Sequence, residues 1–290
     1  MIERLNLEGL RYAQAVAETK SFSAAARAYG VTQPALSNGI AKLEERLGGK
    51  LFDRSPRGVT PTAFGARILP LIDSALVALG SVAAEAQRLT EPGEPKIRMG
   101  FSPLCSHLVA RTFGVVRRRP GFRDLLVREA LIHDLQQSLA SGELDVILMP
   151  AVAPMPGYEH RVVDTDTVVV VGCGAGAPIE LGEASREQIL LVPVQCGLTM
   201  FIRRLFRSHD LPLRPYPGEV SSYRVLEQWA ALGLGAALIP LAKLSSPGVP
   251  HRPLTDGGHE VRISFEAVWG VDSALGDELA RLTRELASHK

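Results

Sequence analysis

Residues 21–37, Ser-Phe-Ser-Ala-Ala-Ala-Arg-Ala-Tyr-Gly-Val-Thr-Gln-Pro-Ala-Leu-Ser, read as two short helices joined by a tight turn. Ser23 is placed to cap the first helix, since its hydroxyl can accept from an orphan backbone N–H. Ala24 to Tyr29 then form a compact, alanine-rich segment that a second helix can cross closely. Gly30 stands where a left-handed residue ends a helix. Thr32 is a second N-cap, and Pro34 falls in the next first turn, where a missing N–H costs little. Two helices joined by a three- or four-residue turn containing glycine make a helix-turn-helix, whose second helix enters the DNA major groove. An ordinary core helix pair shows the same turn chemistry, so the surroundings decide.

In the second helix Leu36, Ile40, Leu43 and Leu47 recur at spacings of 4, 3 and 4 and line one face. Gln33, Ser37, Asn38 and Lys42 fall outside that face. Gln and Asn can read adenine edges, and Ser can bond bases or phosphates. Residues 48–62 follow as a short β-ribbon with Arg57-Gly58 at its tip, a wing that carries Arg54 and Arg57 towards phosphates. Residues 1–60 hold nine Lys/Arg against six Asp/Glu, in a chain of net charge +1. Local positive charge favours a polyanion through counterion release, although a solvated surface shows similar counts.

The ordered stretches Leu10-Arg11-Tyr12, Val16-Ala17-Glu18, Ser21 to Ala26, Val31 to Ser37, Ile40 to Glu44, Leu47-Gly48 and Leu51 to Arg54, with Thr60, Thr62 and Gly65, resemble the winged helix-turn-helix of LysR-type transcriptional regulators. Asn38 stands where that family usually carries arginine. Gly142 to Ile147 and Ala231 to Pro240 are similar to the same family's effector domain. The resemblance implies an α/β chain with three parts. These are a winged helix-turn-helix at 1–61, a linker and dimerisation helix with a hinge at 62–91, and a two-lobed, periplasmic-binding-protein-like domain at 92–290. One lobe is expected at about 96–164 plus 270–290 and the other at about 165–269. The expected partners are double-stranded operator DNA and the chain itself. Contact with RNA polymerase is left open.

At 290 residues, 46% hydrophobic and 22% charged, the composition is that of a globular chain of about two domains. No run of 18 consecutive apolar residues and no apolar leader follow from the sequence, so the expectation is cytoplasmic, without a membrane. Cys105, Cys173 and Cys196 make neither a disulfide framework nor a zinc spacing, and no resident cofactor is expected. In residues 62–90, Ile68, Ile72, Ala75, Leu79, Val82, Ala86 and Leu89 form a coiled-coil seam that asks for a partner helix, most simply a second copy. Packing on the chain's own effector domain is the alternative. Pairing is all the residues argue; a tetramer is what the resemblance implies. Pro70 should bend this helix, and Glu91 to Pro95 read as a hinge.

From Lys96 onward strands alternate with helices, which argues a parallel α/β architecture. Strands are expected at 97–101, 125–127, 146–149, 168–171, 190–192 and 236–239. In open α/β sheets ligands bind beyond the carboxyl ends of strands, at helix N-termini. Two places fit. Ser102 and Leu104 follow the strand at 97–101, and Gln195, Cys196, Gly197 and Thr199 follow the one at 190–192. The resemblance places both at the cleft between lobes, with Ile132, Ser222 and Tyr223 at or near it. A small molecule, most simply a small anion, is the expected effector, bridging Ser102 and the 195–199 turn.

Three alternatives stay open. Cys196 could sense oxidants, since a thiol near a helix N-terminus is acidified. A Cys105–Cys196 bridge requires Cα atoms within about 7 Å. Residues 96–290 alone could belong to a solute-binding protein. An enzyme is disfavoured, because no Gly-x-Ser-x-Gly, His-Glu-x-x-His or P-loop occurs and the histidines show no metal spacing.

Overall fold

The structure is a computed structural model that describes residues 5–55, 58–90, 96–118, 121–193 and 195–288. The chain divides into two compact units, residues 1–90 and 91–290.

The first unit opens with α1 (Leu7–Thr19), α2 (Phe22–Ala28) and α3 (Gln33–Leu47). Asn6 caps α1, and Lys20 closes it in the left-handed region with its N–H on the Val16 carbonyl. Ser21, not Ser23, caps α2: its hydroxyl accepts from the Ala24 N–H at 3.2 Å. The helix starts two residues earlier than expected because Phe22 is buried, edge-on to Phe52 at 6.1 Å, and must lie on the helix rather than before it. At the other end Gly30 has φ +64°, and the Gly30 and Val31 N–H groups reach back to the Arg27 and Ala26 carbonyls. That pair of bonds is a Schellman closure. Thr32 caps α3 as expected, accepting from the Ala35 N–H. Leu36, Ile40 and Leu43 are buried with Ala13, Val16 and Phe22.

β1 (Phe52–Ser55) and β2 (Gly58–Pro61) pair antiparallel. Residues 56 and 57, including the expected tip residue Arg57, lie outside the described residues. The Glu44 carboxylate of α3 accepts from the Leu51 and Phe52 N–H groups, which ties the ribbon's entry to the second helix of the motif. Thr62 fixes its exit. The Thr62 hydroxyl donates to the Lys50 carbonyl and accepts from the Gly65 N–H. A Cβ at Gly65 would stand 1.9 Å from the Leu51 carbonyl oxygen, so only glycine lets the next helix start here.

That helix, α4 (Ala63–Thr90), runs through Pro70 without a break. Its stretch Ala63–Ala86 is by length and hydropathy alone long and apolar enough to cross a bilayer. Its apolar residues are instead divided between two faces. Leu69 and Ile72 are buried in the core of the first unit, with Ile68 and Leu76 packed against it. Leu71, Leu79, Val82 and Leu89 are 64%, 51%, 68% and 79% exposed. The expected seam is therefore corrected at its start. Ile72 turns inward, and Leu71 lies outward with Ala75, Leu79, Val82, Ala86 and Leu89. The expected hinge at 91–95 lies outside the described residues.

The second unit comprises, in chain order, β3 (Ile97–Phe101), α5 (His107–Arg118), β4 (Leu125–Glu129), α6 (Ile132–Ala140), β5 (Val146–Pro150), β6 (Tyr158–Val171), β7 (Ile179–Glu180), α7 (Leu181–Ala184), α8 (Gly197–Ser208), α9 (Tyr223–Ala231), β8 (Ala237–Pro240), β9 (His251–Asp256), β10 (His259–Glu260), β11 (Arg262–Gly270) and α10 (Gly276–Ser288). Short 3-10 turns follow β3 at Pro103–Cys105 and β8 at Leu241–Lys243. The sheet is mixed rather than parallel. β4, β3 and β5 are parallel, whereas β11 runs antiparallel to both β5 and β6.

β6 is 14 residues long and serves both lobes. Residues up to Thr167 pair with β11; Val168 to Val171 pair with β8 and β9. Since β11 joins the β5 sheet, residues 262–270 belong with the first lobe, not with the second as the sequence suggests. The expected strand at 190–192 is also reduced. Among the described residues there, Ile189 makes isolated bridges to Pro215 and Ala236, and the Leu190 N–H donates to the Ala236 carbonyl at 2.9 Å.

Candidate nucleic-acid interface and ligand cleft

On α3, Pro34, Asn38 and Lys42 recur every four residues and are all exposed, so they form one outward stripe opposite Leu36, Ile40 and Leu43. Gln33 is exposed at the first turn and accepts from the Ser23 hydroxyl at 3.4 Å. Ser23 thus remains on the outer surface, as a partner of Gln33 rather than a helix cap. Thr32 is exposed, but its hydroxyl caps α3. Ser37 is half-buried beside the stripe and accepts a 2.7 Å bond from the Arg54 guanidinium. That guanidinium also lies 3.7 Å from the centre of the Phe22 ring. The wing arginine is therefore held against the second helix by a hydrogen bond and a cation–π contact. Gly9 and Gly39 permit the close crossing of α1 and α3: a Cβ on Gly39 would stand 2.8 Å from the Tyr12 ring.

In the second unit the expected ligand residues divide sharply. Ser102 is buried, and its hydroxyl accepts from the Leu104 N–H at the start of the 3-10 turn. Leu104 is fully buried in the core. Thr199 is also fully buried, and its hydroxyl donates to the Val192 carbonyl at 2.7 Å. Thr199 therefore spends its hydroxyl proton on nearby backbone, the usual local competition for Ser and Thr, whereas the Ser102 hydroxyl only accepts from backbone. Ser222 is exposed and caps α9.

The structure does bring Ile132, Gly197, Cys196 and Tyr223 to one place. A Cβ on Gly197 would stand 2.4 Å from Pro150 and 2.8 Å from Ile132, so the first turn of α8 rests on the carboxyl end of β5. Cys196, buried at the N-cap of α8, has its sulfur 2.8 Å from the Tyr223 hydroxyl. Burial, and then Cys196, push the Tyr223 phenol well above its ordinary pKa. Gln195 is exposed beside them. Cys105 and Cys196 are free thiols, and burial pushes the Cys105 thiol far up. An open hollow of about 490 Å³ lies at the opposite end of α8, lined by Arg203, Arg207 and Asp210, away from this cluster.

Lys243 is the residue that sequence reasoning missed. It closes the 3-10 turn after β8, and its ammonium donates to the Pro103 carbonyl at 2.7 Å and to the Ser106 hydroxyl at 2.6 Å. It also lies 5.4 Å from the Tyr223 ring centre. Burial lowers its pKa, while Cys105, Glu129 and Cys196 pull it back up. Its position at the carboxyl end of β8 is the signal that could have found it, by the strand-end rule that pointed to Ser102.

Two family models match nearly the whole chain. The one described as "Bacterial regulatory helix-turn-helix protein, lysR family" covers residues 7–66, and "LysR substrate binding domain" covers residues 90–289. A probable hydrogen peroxide-inducible genes activator of Mycobacterium avium is 30% identical over 97% of this chain and 94% of its own length. One of Streptomyces viridosporus is 35% identical over 63% of this chain, spanning 58% of that relative's length. Among solved structures, a hydrogen peroxide-bound cysteine mutant of Corynebacterium glutamicum OxyR shares the fold, with a TM-score of 0.59 at 23% identity, covering 98% of this chain and 93% of that one. With the exposed stripe of α3, the wing behind it and the mixed-sheet unit that follows, the chain belongs to the LysR family of DNA-binding transcriptional regulators, with a C-terminal effector-binding domain.

Proposed function

We propose that residues 1–61 read an operator through Gln33, Pro34, Ser37, Asn38 and Lys42 on bases and groove edges, with Arg54 and Arg57 on phosphates. The observation that carries this is the exposed Pro34–Asn38–Lys42 stripe, backed by Arg54 bonded to Ser37. The exposed face of α4 pairs two copies, which sets the spacing of two reading heads. Residues 92–290 are the effector domain, and the work is cytoplasmic because DNA is the partner. A small molecule between the lobes, beside Ile132, Gln195, Cys196, Gly197 and Tyr223, biases the lobe angle. It shifts that equilibrium only by its difference in affinity for the two states. The test is binding of the full chain to its own upstream DNA across a salt series. A steep fall in affinity with salt is expected; a flat response contradicts DNA reading.

A second reading has its own support. Cys196 sits at a helix N-cap with a tyrosine hydroxyl on its sulfur, and two relatives carry names that refer to hydrogen peroxide. In that reading the switch is oxidation of Cys196 rather than a bound molecule. Peroxide titration of operator binding separates the two.

A further inference from the structure

We propose that Lys243 is the charge-reading residue of the cleft and that, with no ligand bound, its ammonium latches the two lobes together: a small carboxylate is recognised by taking Lys243 from the Pro103 carbonyl and the Ser106 hydroxyl. The proposal deepens the cleft reading above and rests on it.

Three observations carry it. First, the contact spans the lobes. Lys243 follows β8, which pairs with the second-lobe end of β6, whereas Pro103 and Ser106 follow β3 in the first-lobe sheet. Second, the ammonium is poorly compensated. Both of its hydrogen-bond acceptors are neutral, and among the described residues no carboxylate lies within ion-pair distance of it. Glu129 acts on it only from further away. A half-buried cation without a paired anion favours any anion that can reach it. A lysine ammonium has three donors; two are used here, which leaves one for an incoming oxygen. Third, the site around it is prepared. The Tyr223 ring faces the ammonium, Cys196 holds the Tyr223 hydroxyl, and the Asp166 carboxylate fixes the turn by accepting from the Ala242 N–H at 2.8 Å.

This arrangement replaces the two helix N-termini expected from sequence. Lys243 supplies a full positive charge where those termini would have offered partial ones, and of the two hydroxyls expected there the one on Thr199 is committed to the Val192 carbonyl. Binding would exchange two neutral acceptors for one charged acceptor and release the first lobe's turn. Recognition and lobe release then become a single event.

The test uses the full chain and four proteins: wild type, Lys243→Met, Lys243→Arg and Ser106→Ala. Acetate, benzoate and succinate are compared with their amides at constant ionic strength, by calorimetry and by amide hydrogen exchange. At least one acid should bind wild type while its amide does not. Lys243→Met should weaken that acid about tenfold or more, since a charge-assisted bond is lost, and Lys243→Arg should restore most of it as evidence of a sound fold. Ser106→Ala should bind the acid more tightly, because one competing acceptor is gone. Exchange at residues 102–106 should quicken in Lys243→Met and in acid-bound wild type. The proposal is overturned if no acid binds wild type, if Lys243→Met binds it equally, or if Ser106→Ala leaves its affinity unchanged. An amide that binds as well as its acid and protects residues 196–200 overturns charge reading but leaves the cleft reading intact. An acid that binds without altering exchange at either segment overturns both.

Discussion

The sulfur of Cys196 lies 2.8 Å from the Tyr223 hydroxyl, joining the cap of one helix to the first residue of another. The contact serves either switch, and chemistry at the sulfur distinguishes them. Cys196→Ser keeps a hydroxyl where the thiol stood and can keep the bond. If a bound molecule is the signal, peroxide leaves operator affinity unchanged in wild type and in Cys196→Ser alike. A peroxide response in a gel-shift assay that disappears in Cys196→Ser transfers the switch to the sulfur.

Arg54 is expected to act on every DNA sequence equally. Arg54→Ala removes a charge near the backbone, so affinity should fall uniformly and the log–log salt slope should flatten by about one. Ser37→Ala releases Arg54 from its 2.7 Å bond but keeps the charge, so its salt slope should stay that of wild type. Titrations at several salt concentrations measure both. An altered base preference in Arg54→Ala would remove it from the phosphate role.

The two faces of α4 should respond differently to a charge. Leu79→Asp and Val82→Asp place a carboxylate on an exposed face, so the head should fold while sedimentation shows smaller species. Ile72→Asp buries a carboxylate in the head's own core and should unfold it, since an unpaired buried charge is strongly unfavourable. Unchanged oligomers in the first two variants would place pairing elsewhere.

That difference marks where the sequence was ambiguous. A 4-3 apolar repeat defines a stripe, but residues 68–76 carry apolar side chains on two adjacent stripes, Ile68 with Ile72 and Leu71 with Ala75. Only packing against α1 decides which turns inward. The helix-turn-helix was legible because its signals are local: Gly30, Thr32 and Pro34 each act within one turn of chain. Ser21 and Ser23 were both competent caps, and burial of Phe22 chose between them. In the effector unit, Ser102 and Thr199 sit where the strand-end rule puts ligand groups, but the Thr199 hydroxyl donates to the Val192 carbonyl and the Ser102 hydroxyl accepts from the Leu104 N–H. The strand-end rule reaches Lys243 only as one of several residues after β8; its contact with Pro103 spans about 140 residues of sequence and depends on β8 pairing with β6, which local signals do not carry.

Gly65 tests the packing of the wing exit. Gly65→Ala forces a methyl into the Leu51 carbonyl, so backbone must move, at a cost of about 1–3 kcal/mol or more. Thermal melts of the full chain should show the loss. A melt like that of wild type would mean that α4 can start elsewhere.

His160 gives the effector unit a pH signature. Its two ring nitrogens face the Met155 carbonyl and the Glu266 carboxylate, at 3.0 and 3.1 Å. Burial opposes the charged ring, but these two acceptors outweigh it and raise the pKa. A raised folded-state pKa adds stability that is fully present below the unfolded value, about 6.5. It is lost as pH rises through the folded value. His160→Gln should therefore cost more stability at pH 5.5 than at pH 8.5, by chemical denaturation. An equal cost at both would mean that the ring is neutral in the folded protein.

The most direct test of operator reading is selection from a randomised operator library with wild type and Asn38→Arg. Asn38 lies on the exposed stripe of α3, where a change of side chain changes the groups offered to base edges. The account requires the preferred base to change at one or two positions in each half-site while flanking positions stay the same. Identical selected sequences from the two proteins, differing only in affinity, would contradict it.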